Sequence, residues 1–211
     1  MLGFELSPEQ IALRDKARAF MLKEILPVAW RSDAHEETPL PLLRKAWEQG
    51  LMNADIPAEY GGQGRGLVDN VLITEEFAAG CAGLATSLFD NSLGMEPLRL
   101  CGNHALKAKI FPRIAREMKF ICFATSEPTM GSDVAGVRCR ATPDGDGYVL
   151  NGTKYWITNG GIADYMSVFA TVDPARRHDG ICAFLVEKEW KGVSIGRRIP
   201  KLGQRGSETV G

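Results

Sequence analysis

The sequence lacks the features of a nucleic-acid-binding or membrane-spanning protein. Its 25 Lys and Arg are balanced by 26 Asp and Glu, and the basic residues form no run longer than a pair. A surface that binds the phosphates of a nucleic acid needs clustered positive charge. No stretch approaches the about 20 apolar residues that a membrane span needs. The sequence therefore predicts neither kind of protein.

Signals for export, for disulfides and for metal sites are also missing. The N-terminal MLGFELSPEQ has no basic segment followed by an apolar run, so we expect a cytoplasmic protein without a targeting leader. The five cysteines are odd in number, widely spaced and without a C-x-x-C pair, which is typical of reduced thiols. The three histidines lack the i, i+4 spacing of a helical metal site. No metal is predicted.

The first half of the chain has the pattern of helices and loops. Ser7, Pro8 and Gln10 form a capping-box pattern, and apolar residues then recur at helical spacing to about residue 31. A second helix is predicted in PLPLLRKAWEQG, which follows Thr38. Helical patterns return from residue 69 to about residue 118. This half is predicted to be all helix and loop.

After residue 119 the pattern changes to short β-rich runs broken by Pro, Gly, Asp and Asn. Residues 144–147 and 151–152 have the composition of hairpin turns. We therefore predict an α+β protein, with an N-terminal helical domain over residues 1–119 and an antiparallel, β-barrel-like domain over residues 120–211. The chain stops at LGQRGSETVG without a closing strand or helix. We expect the β domain to be incomplete and the reading frame to be truncated or split.

The stretch KYWITNGG, residues 154–161, predicts a strand that runs into a tight turn. Residues i and i+2 of a strand project from the same face. Trp156 and Thr158 would then present an aromatic plane and a hydroxyl side by side. The alternative is that Trp156 packs in a sheet core and Thr158 is an ordinary strand residue.

The stretch TSEPTMGSD, residues 125–133, follows the strand-like FICFA. It carries hydroxyls at Thr125, Ser126 and Ser132, and Gly131 permits close approach to the backbone. A loop of this kind suits a polar, partly anionic ligand. The alternative is a turn that its own serine and aspartate side chains stabilise.

Together with four other segments, these two stretches resemble the acyl-CoA dehydrogenase family. The segments GLMNADIPAEYGGQG, TEEFAAGCAG, DNSLG, TSEPTMGSDVAG, NGTKYWITNGG and GQRGSET occur in the family's order and spacing, in the style of its medium-chain members. The resemblance covers essentially the whole chain. It implies FAD as the cofactor, bound without a Rossmann fold between the β domain and a C-terminal helical domain that we expect to follow residue 211.

The resemblance also implies roles for individual residues. The implied flavin-binding residues are Phe123, Thr125, Ser126, Gly131, Ser132, Trp156, Ile157 and Thr158. Among them, Trp156 would stack on the flavin ring, Thr158 would hydrogen-bond near its N5, and Ser132 would bind the pyrophosphate. Ser132 would also approach the substrate thioester. We expect Phe89, in TSLFDNSLG, to close the acyl end of the substrate pocket; the alternative is plain core packing.

The implied reaction introduces a Cα=Cβ double bond into an acyl-CoA thioester, as in fatty-acid or related acyl-CoA catabolism. A carboxylate removes the α-proton while the β-hydrogen leaves as hydride to flavin N5. The family's catalytic glutamate lies in the C-terminal helical domain, so no catalytic residue is assigned here, and Glu127 is implied to be structural. The implied partners are acyl-CoA, an electron-transferring flavoprotein as acceptor and, once the C-terminal domain is present, other copies in a homotetramer.

Two alternatives stay open at this point. A family relative that acts on another carbon acid, such as an acyl-CoA oxidase or a nitroalkane oxidase, would pass its electrons to oxygen instead of a flavoprotein. A truncated, non-catalytic pseudo-enzyme or interaction module would keep the fold without the chemistry.

Overall fold

The computed structural model describes residues 5–211, and it has helices in the first part and strands in the second. The helices are α1 (Pro8–Phe20), α2 (Leu26–Ala34), α3 (Leu40–Glu48), α4 (Leu67–Gly80), α5 (Ala82–Cys101) and α6 (His104–Glu117). The strands are β1 (Ile121–Ala124), β2 (Arg140–Asp144), β3 (Gly147–Asn151), β4 (Ile157–Thr158), β5 (Tyr165–Thr171), β6 (Ile181–Glu187) and β7 (Thr209–Val210). This order confirms the predicted α+β class.

Within the described residues, no helix is long and apolar enough to cross a membrane. The predicted absence of an N-terminal leader rests in part on residues 1–4, which lie outside the described residues.

Contacts divide the described residues into two compact units. The helical unit consists of the residues up to Phe89, Ala108–Met118 and Lys201–Ser207. The β unit consists of Asp90–Lys107, Lys119–Pro200 and Glu208–Gly211. Both units take segments from either side of residue 119, so the predicted domain boundary at residues 119–120 stays a prediction.

Helix α1 begins with the predicted capping box. The backbone N–H of Gln10 donates to Ser7 Oγ at 3.2 Å, and the backbone N–H of Ser7 donates to Gln10 Oε1 at 3.1 Å. These two bonds satisfy donors that the first turn of a helix leaves without partners. The capping-box prediction is confirmed.

The helix predicted up to about residue 31 is interrupted by a π-helical turn, Met21–Ile25. In this turn the N–H of Leu26 bonds to the carbonyl of Met21, five residues earlier. Pro27 comes next, and in a regular helix its ring would clash with the carbonyl four residues before it. The wider turn therefore lies where the sequence disfavours a regular helix.

In the helical unit, α1 and α4 pack side by side in the same direction. The guanidinium of Arg18 donates to both carboxylate oxygens of Glu76, at 2.9 and 2.7 Å. Close by, the rings of Phe20 and Phe77 lie 5.3 Å apart, and both side chains are buried. A charged pair thus borders an aromatic core contact between the two helices.

Residues 201–207, which follow the β6 strand, complete the helical unit. Arg205 donates from its backbone N–H to Asp33 Oδ1 at 3.0 Å and from Nε to Asp33 Oδ2 at 3.3 Å. The hydroxyl of Thr38 donates to the carbonyl of Gly206 at 2.8 Å. These bonds span 172 and 168 residues of sequence, respectively.

The sheet of the β unit is mixed, and the prediction of an antiparallel domain is wrong in this respect. The strand order is β1-β5-β2-β3, with β6 also paired to β5. β1 and β2 each pair with β5 in parallel, whereas β2–β3 and β5–β6 are antiparallel. A parallel pair needs a long crossover connection, and residues 125–164 connect β1 to β5. Separate short runs in the sequence do not reveal such a pairing.

One predicted hairpin turn is confirmed and the other is wrong. Residues 144–147 close the β2–β3 hairpin, with Gly145 at a φ of 57°. β3 ends at Asn151, but β4 pairs with β7 instead of turning back onto β3. A Cβ on Gly152 would lie 2.7 Å from the Cα of Cys139. This glycine therefore permits close backbone packing and does not form a hairpin turn.

The later part of α5 packs against β1 within the β unit. The side chain of Asn91 accepts from the N–H of Ile121 at 3.0 Å and donates to the carbonyl of Lys119 at 3.1 Å. Gly94 lies so close that a Cβ would overlap the carbonyl oxygen of Ile121. A fully buried amide therefore satisfies backbone groups at the start of the strand.

Asp90, next to Asn91, is a buried acid without a matching charge. Its side chain is 7% exposed, and Oδ2 has no hydrogen-bond partner among the described residues. Burial raises the pKa of Asp90 to about 8. The protonated form is therefore favoured in the folded protein at neutral pH.

We expect Asp90→Asn to stabilise the protein, by an amount that grows between about pH 4 and pH 8. An aspartate has a pKa near 4 in the unfolded chain. Because the folded-state pKa is higher, wild-type stability is complete below the unfolded pKa and falls as pH rises through this window, by at most about 1.4 kcal/mol per pH unit. Asparagine removes this loss.

Urea unfolding at about pH 5, 6.5 and 8 measures the effect of Asp90→Asn. The matched control is Asp146→Asn in the exposed β2–β3 turn, which should show no pH-dependent gain. A gain from Asp90→Asn that is the same at all three pH values would contradict the prediction.

Candidate functional site

The structure brings together the two stretches that the sequence singles out. The ammonium of Lys154 donates to the carbonyl of Thr125 at 2.9 Å, and the backbone N–H of Tyr155 donates to the carbonyl of Ser126 at 2.8 Å. All four residues belong to the β unit. The loop after β1 and the segment before β4 therefore lie in contact and define the candidate site.

A buried ion pair fixes this junction. Glu127 and Lys154 are bonded at 2.8 Å, and their side chains are 3% and 10% exposed. Glu127 also accepts from the backbone N–H groups of Arg138 at 2.8 Å and Cys139 at 2.9 Å. Burial favours the protonated acid, but the bonds from Lys154 and the two amides outweigh it and hold the pKa of Glu127 below its ordinary value.

Trp156 is not in the strand that the sequence predicts. β4 contains only Ile157 and Thr158, and Trp156 precedes it with a left-handed backbone at a φ of 64°. The prediction that Trp156 and Thr158 share a strand face is therefore wrong. The chain turns at Trp156 because Tyr155 is bonded to Ser126 while Ile157 is already paired with Val210.

The indole of Trp156 is nevertheless well placed to meet a ligand. Its side chain is 55% exposed, and its ring stands edge-on to that of Tyr155, with centroids 5.1 Å apart and an interplanar angle of 86°. A large aromatic residue with positive φ is uncommon, and such strained residues concentrate at binding sites. Thr158, two residues later, is half-buried in β4.

The loop after β1 has the polar character that an anionic cofactor needs. Thr125 Oγ1 is buried and has no hydrogen-bond partner among the described residues. Gly131 and Ser132 are exposed, and a Cβ on Gly131 would meet nothing within 4 Å. An orphaned hydroxyl and an open backbone segment fit a ligand with polar groups. The ring of Phe123 lies 4.9 Å from that of Phe169 at the start of this loop.

Phe89, the predicted residue at the acyl end, belongs to the helical unit. It lies on α5 and is 36% exposed. The assignments of all these residues to flavin or substrate stay predictions.

A pocket of about 500 Å³ lies in the β unit. It is lined mainly by glycine backbone and by apolar side chains such as Met166, Val168 and Val186. Among the predicted flavin residues, Ile157 contributes to its lining, whereas Trp156, Thr158 and Ser132 do not. Lys154 and Tyr155 also line this pocket, so it borders the candidate site.

Glu127 was predicted only as a structural residue, and the roles of three other residues around the site were not predicted. Lys154 and Glu127 hold the junction, and Lys188 and Glu208 contact the turn after Thr158. Glu208 lies in GQRGSET, one of the six segments that resemble the family, so the sequence did mark its surroundings. No local pattern marks Lys188.

We expect Glu127→Gln and Lys154→Met each to destabilise the protein by about 3–5 kcal/mol, because each leaves the other charge buried without its partner. The double variant should lose less stability than the sum of the losses in the two single variants. Since the pKa of Glu127 is lowered by folding, its contribution is present above about pH 4.3 and is lost as pH falls through the folded-state pKa.

Denaturant unfolding of the four proteins in this double-mutant cycle gives the coupling energy. The control cycle uses Asp133→Asn and Arg177→Gln, an exposed pair at 3.9 Å with side chains 74% and 69% exposed. Its coupling should stay below about 1 kcal/mol. Equal coupling in both cycles would show that burial does not strengthen the Glu127–Lys154 pair.

Comparison with known proteins gives the family. Residues 7–118 match the acyl-CoA dehydrogenase N-terminal domain, and residues 122–210 match the acyl-CoA dehydrogenase middle domain. A probable acyl-CoA dehydrogenase, fadE25 of Mycobacterium tuberculosis, is 39% identical over 207 residues, which is 98% of this chain and 53% of the relative. The chain thus spans about half the length of the curated relatives it matches.

Solved structures of whole enzymes agree with these matches. Butyryl-CoA dehydrogenase from Megasphaera elsdenii is 32% identical, with a TM-score of 0.92 over 99% of this chain and 56% of that chain. A glutaryl-CoA dehydrogenase from Mycobacterium smegmatis, solved in complex with FADH2, is 31% identical, with a TM-score of 0.88 over 97% of this chain and 52% of that chain. The resemblance inferred from the six segments is confirmed: the chain belongs to the acyl-CoA dehydrogenase family.

Proposed function

We propose that the chain supplies the helical and middle parts of an FAD-dependent acyl-CoA dehydrogenase, which introduces a Cα=Cβ double bond into an acyl-CoA thioester. The observation that carries this proposal is the junction of residues 125–132 with residues 154–158, held by Lys154 and Tyr155. These are the two stretches to which the resemblance assigns the flavin. The similarity to a dehydrogenase solved with FADH2 supports the same cofactor.

The residues of the chain would bind and orient the reactants. Bound FAD would supply the hydride acceptor. The hydroxyl of Thr158 would donate to flavin N5, and the indole of Trp156 would cover one face of the ring. Ser132 and the open backbone at Gly131 would bind the pyrophosphate, with Ser132 also near the thioester. Fixed groups of this kind lower a barrier by positioning and by preorganised electrostatics.

The base that removes the α-proton is not assigned within the described residues. Glu127 lies in the candidate site, but it is buried, paired with Lys154 and bonded to two backbone amides. Its pKa is lowered, so it is a weak base, and its oxygens are already occupied. We propose that a second half, corresponding to the remainder of the relatives, supplies the base and the homotetramer contacts.

The proposal also includes an electron-transferring flavoprotein as the electron acceptor and a cytoplasmic location. An electron-transferring flavoprotein would reoxidise a dehydrogenase, whereas oxygen would reoxidise an acyl-CoA or nitroalkane oxidase. Aerobic and anaerobic reoxidation rates of the reduced, completed protein distinguish these two kinds of enzyme.

We expect Thr158→Ala, in a protein completed by a C-terminal helical domain, to keep the fold but to change the flavin spectrum and to slow flavin reduction by substrate. Loss of one preorganised donor in an active site costs about 10²–10³-fold in rate. Stopped-flow absorbance measures both quantities. The matched control is Thr142→Ala, an exposed threonine on β2. Wild-type values in Thr158→Ala would remove this residue from the site.

We expect Phe89→Ala, in the same completed protein, to shift the preference toward longer acyl-CoAs because it removes a bulky ring from the proposed acyl end. Values of kcat/KM across a series of straight-chain acyl-CoAs measure the shift, and Phe89→Leu should cause a smaller one. An unchanged profile would favour plain core packing of Phe89.

Residues 1–211 alone are not expected to dehydrogenate acyl-CoA. Without a base the rate falls by about 10²–10⁴-fold, and large apolar side chains are open to solvent, including Trp30 at 78%, Leu67 at 74% and Leu100 at 71%. We therefore expect aggregation or self-association and a weak yellow colour. The assay mixes the chain with excess FAD and acyl-CoAs anaerobically. Rapid bleaching of the flavin band would mean that this chain contains the base, and Glu127 would be mutated first.

A further inference from the structure

The chain reverses direction directly after Thr158. Asn159 is completely buried and has a left-handed backbone at a φ of 56°. Its carbonyl accepts from the N–H groups of Ile162 at 3.0 Å and Ala163 at 2.9 Å. These bonds define a tight turn, residues 159–163. The direction of Thr158 depends on how firmly this turn is held.

Strand pairing alone holds the turn weakly. β4 pairs with β7 at two positions, Ile157 with Val210 and Thr158 with Thr209. A two-residue pairing is far shorter than the usual strand and contributes few hydrogen bonds. Other contacts must therefore fix the turn.

Two charged side chains from distant parts of the sequence converge on Gly161, in the middle of the turn. The ammonium of Lys188 donates to the Gly161 carbonyl at 2.6 Å. The carboxylate of Glu208 lies against the Gly161 α-carbon, where a Cβ would be 2.5 Å from Oε2. The backbone carbonyl of Glu208 also accepts from the N–H of Asn159 at 3.0 Å. The turn is therefore held from several sides.

The Glu208 side chain is half-buried beside the turn. Its Oε2 is buried and lacks a hydrogen-bond partner among the described residues. A buried acceptor without a partner costs free energy, so it calls for a functional or structural reason. The short bond from Lys188 is charge-assisted, and such bonds are stronger than neutral ones. Lys188 therefore fixes the Gly161 carbonyl, while the Glu208 carboxylate packs against the same residue.

We propose that Lys188 and Glu208 are positioning residues that hold the 159–163 turn and thereby direct the Thr158 hydroxyl toward the flavin. This inference rests on the proposed function for the role of Thr158. Neither side chain would touch the reacting atoms. Lys188 acts through the Gly161 carbonyl, and Glu208 acts through its contact with Gly161 and its backbone bond to Asn159.

The first measurement is independent of any cofactor and uses the 211-residue chain. Amide hydrogen exchange of residues 159–163 is compared in wild type, Lys188→Met, Lys188→Arg and Glu208→Ala. We expect exchange to accelerate at least tenfold in Lys188→Met and Glu208→Ala, and to return toward wild type in Lys188→Arg, which keeps a donor. The controls are Lys191→Met and Glu189→Gln, at exposed positions near Lys188, and neither should change the exchange rates of residues 159–163.

The second measurement is titration with FAD of the same variants in a protein completed by a C-terminal helical domain, followed by flavin fluorescence and by the absorption spectrum of bound flavin. We expect Lys188→Met and Glu208→Ala to weaken binding about tenfold and to shift the spectrum, with recovery in Lys188→Arg. Unchanged exchange in both variants would overturn the inference. Faster exchange with wild-type affinity and spectrum would also overturn it, because the pair would then be merely structural.

The two measurements also separate this inference from the proposed function. If wild type shows no FAD binding at any accessible concentration, the cofactor part of the proposed function fails and the flavin role of Thr158 falls with it. Exchange in the turn then decides by itself whether Lys188 and Glu208 hold residues 159–163.

Discussion

The buried ion pair of Glu127 and Lys154 is the interaction on which the candidate site depends. An isolated charge in this position would be strongly disfavoured, and the pair is tolerated because each partner is also bonded to backbone groups. Glu127 accepts from two amides, and Lys154 also bonds to the Thr125 carbonyl. One salt bridge thus ties the loop after β1 to the segment before β4. Together with the bond from the Tyr155 N–H to the Ser126 carbonyl, it keeps the polar loop next to the segment that carries Trp156.

Features of the fold that depend on local sequence could be predicted. The capping box at Ser7 and the β2–β3 hairpin both arise from residues within four positions of each other. The parallel pairing of β1 with β5 could not be predicted, because it joins residues more than 40 positions apart through a crossover without a local signature. Asn151–Gly152 has turn composition, but contact with Cys139 decides its conformation. Tertiary packing overrides local preference there.

The candidate site also has parts that the sequence predicts and parts that it does not. Its main stretches were recognisable because short motifs kept their order along the whole chain. The left-handed backbone at Trp156 could not be recognised from the sequence. It results from two contacts on either side of Trp156, the Tyr155–Ser126 bond and the pairing of Ile157 with Val210. The supporting lysines, Lys154 and Lys188, each act on groups 27 positions away or more. A lone lysine carries no sign of such a role in the sequence.

The 201–207 segment has a consequence for synthesis on the ribosome. The bonds from Arg205 to Asp33 and from Thr38 to Gly206 join residues 172 and 168 positions apart, so one partner leaves the exit tunnel long before the other. The first helices therefore wait, without these contacts, until residues 205 and 206 have been made. Contacts of such high sequence separation slow folding and prolong the exposure of apolar surface. A nascent chain of this protein should thus depend on chaperones for longer than its N-terminal helices alone would suggest.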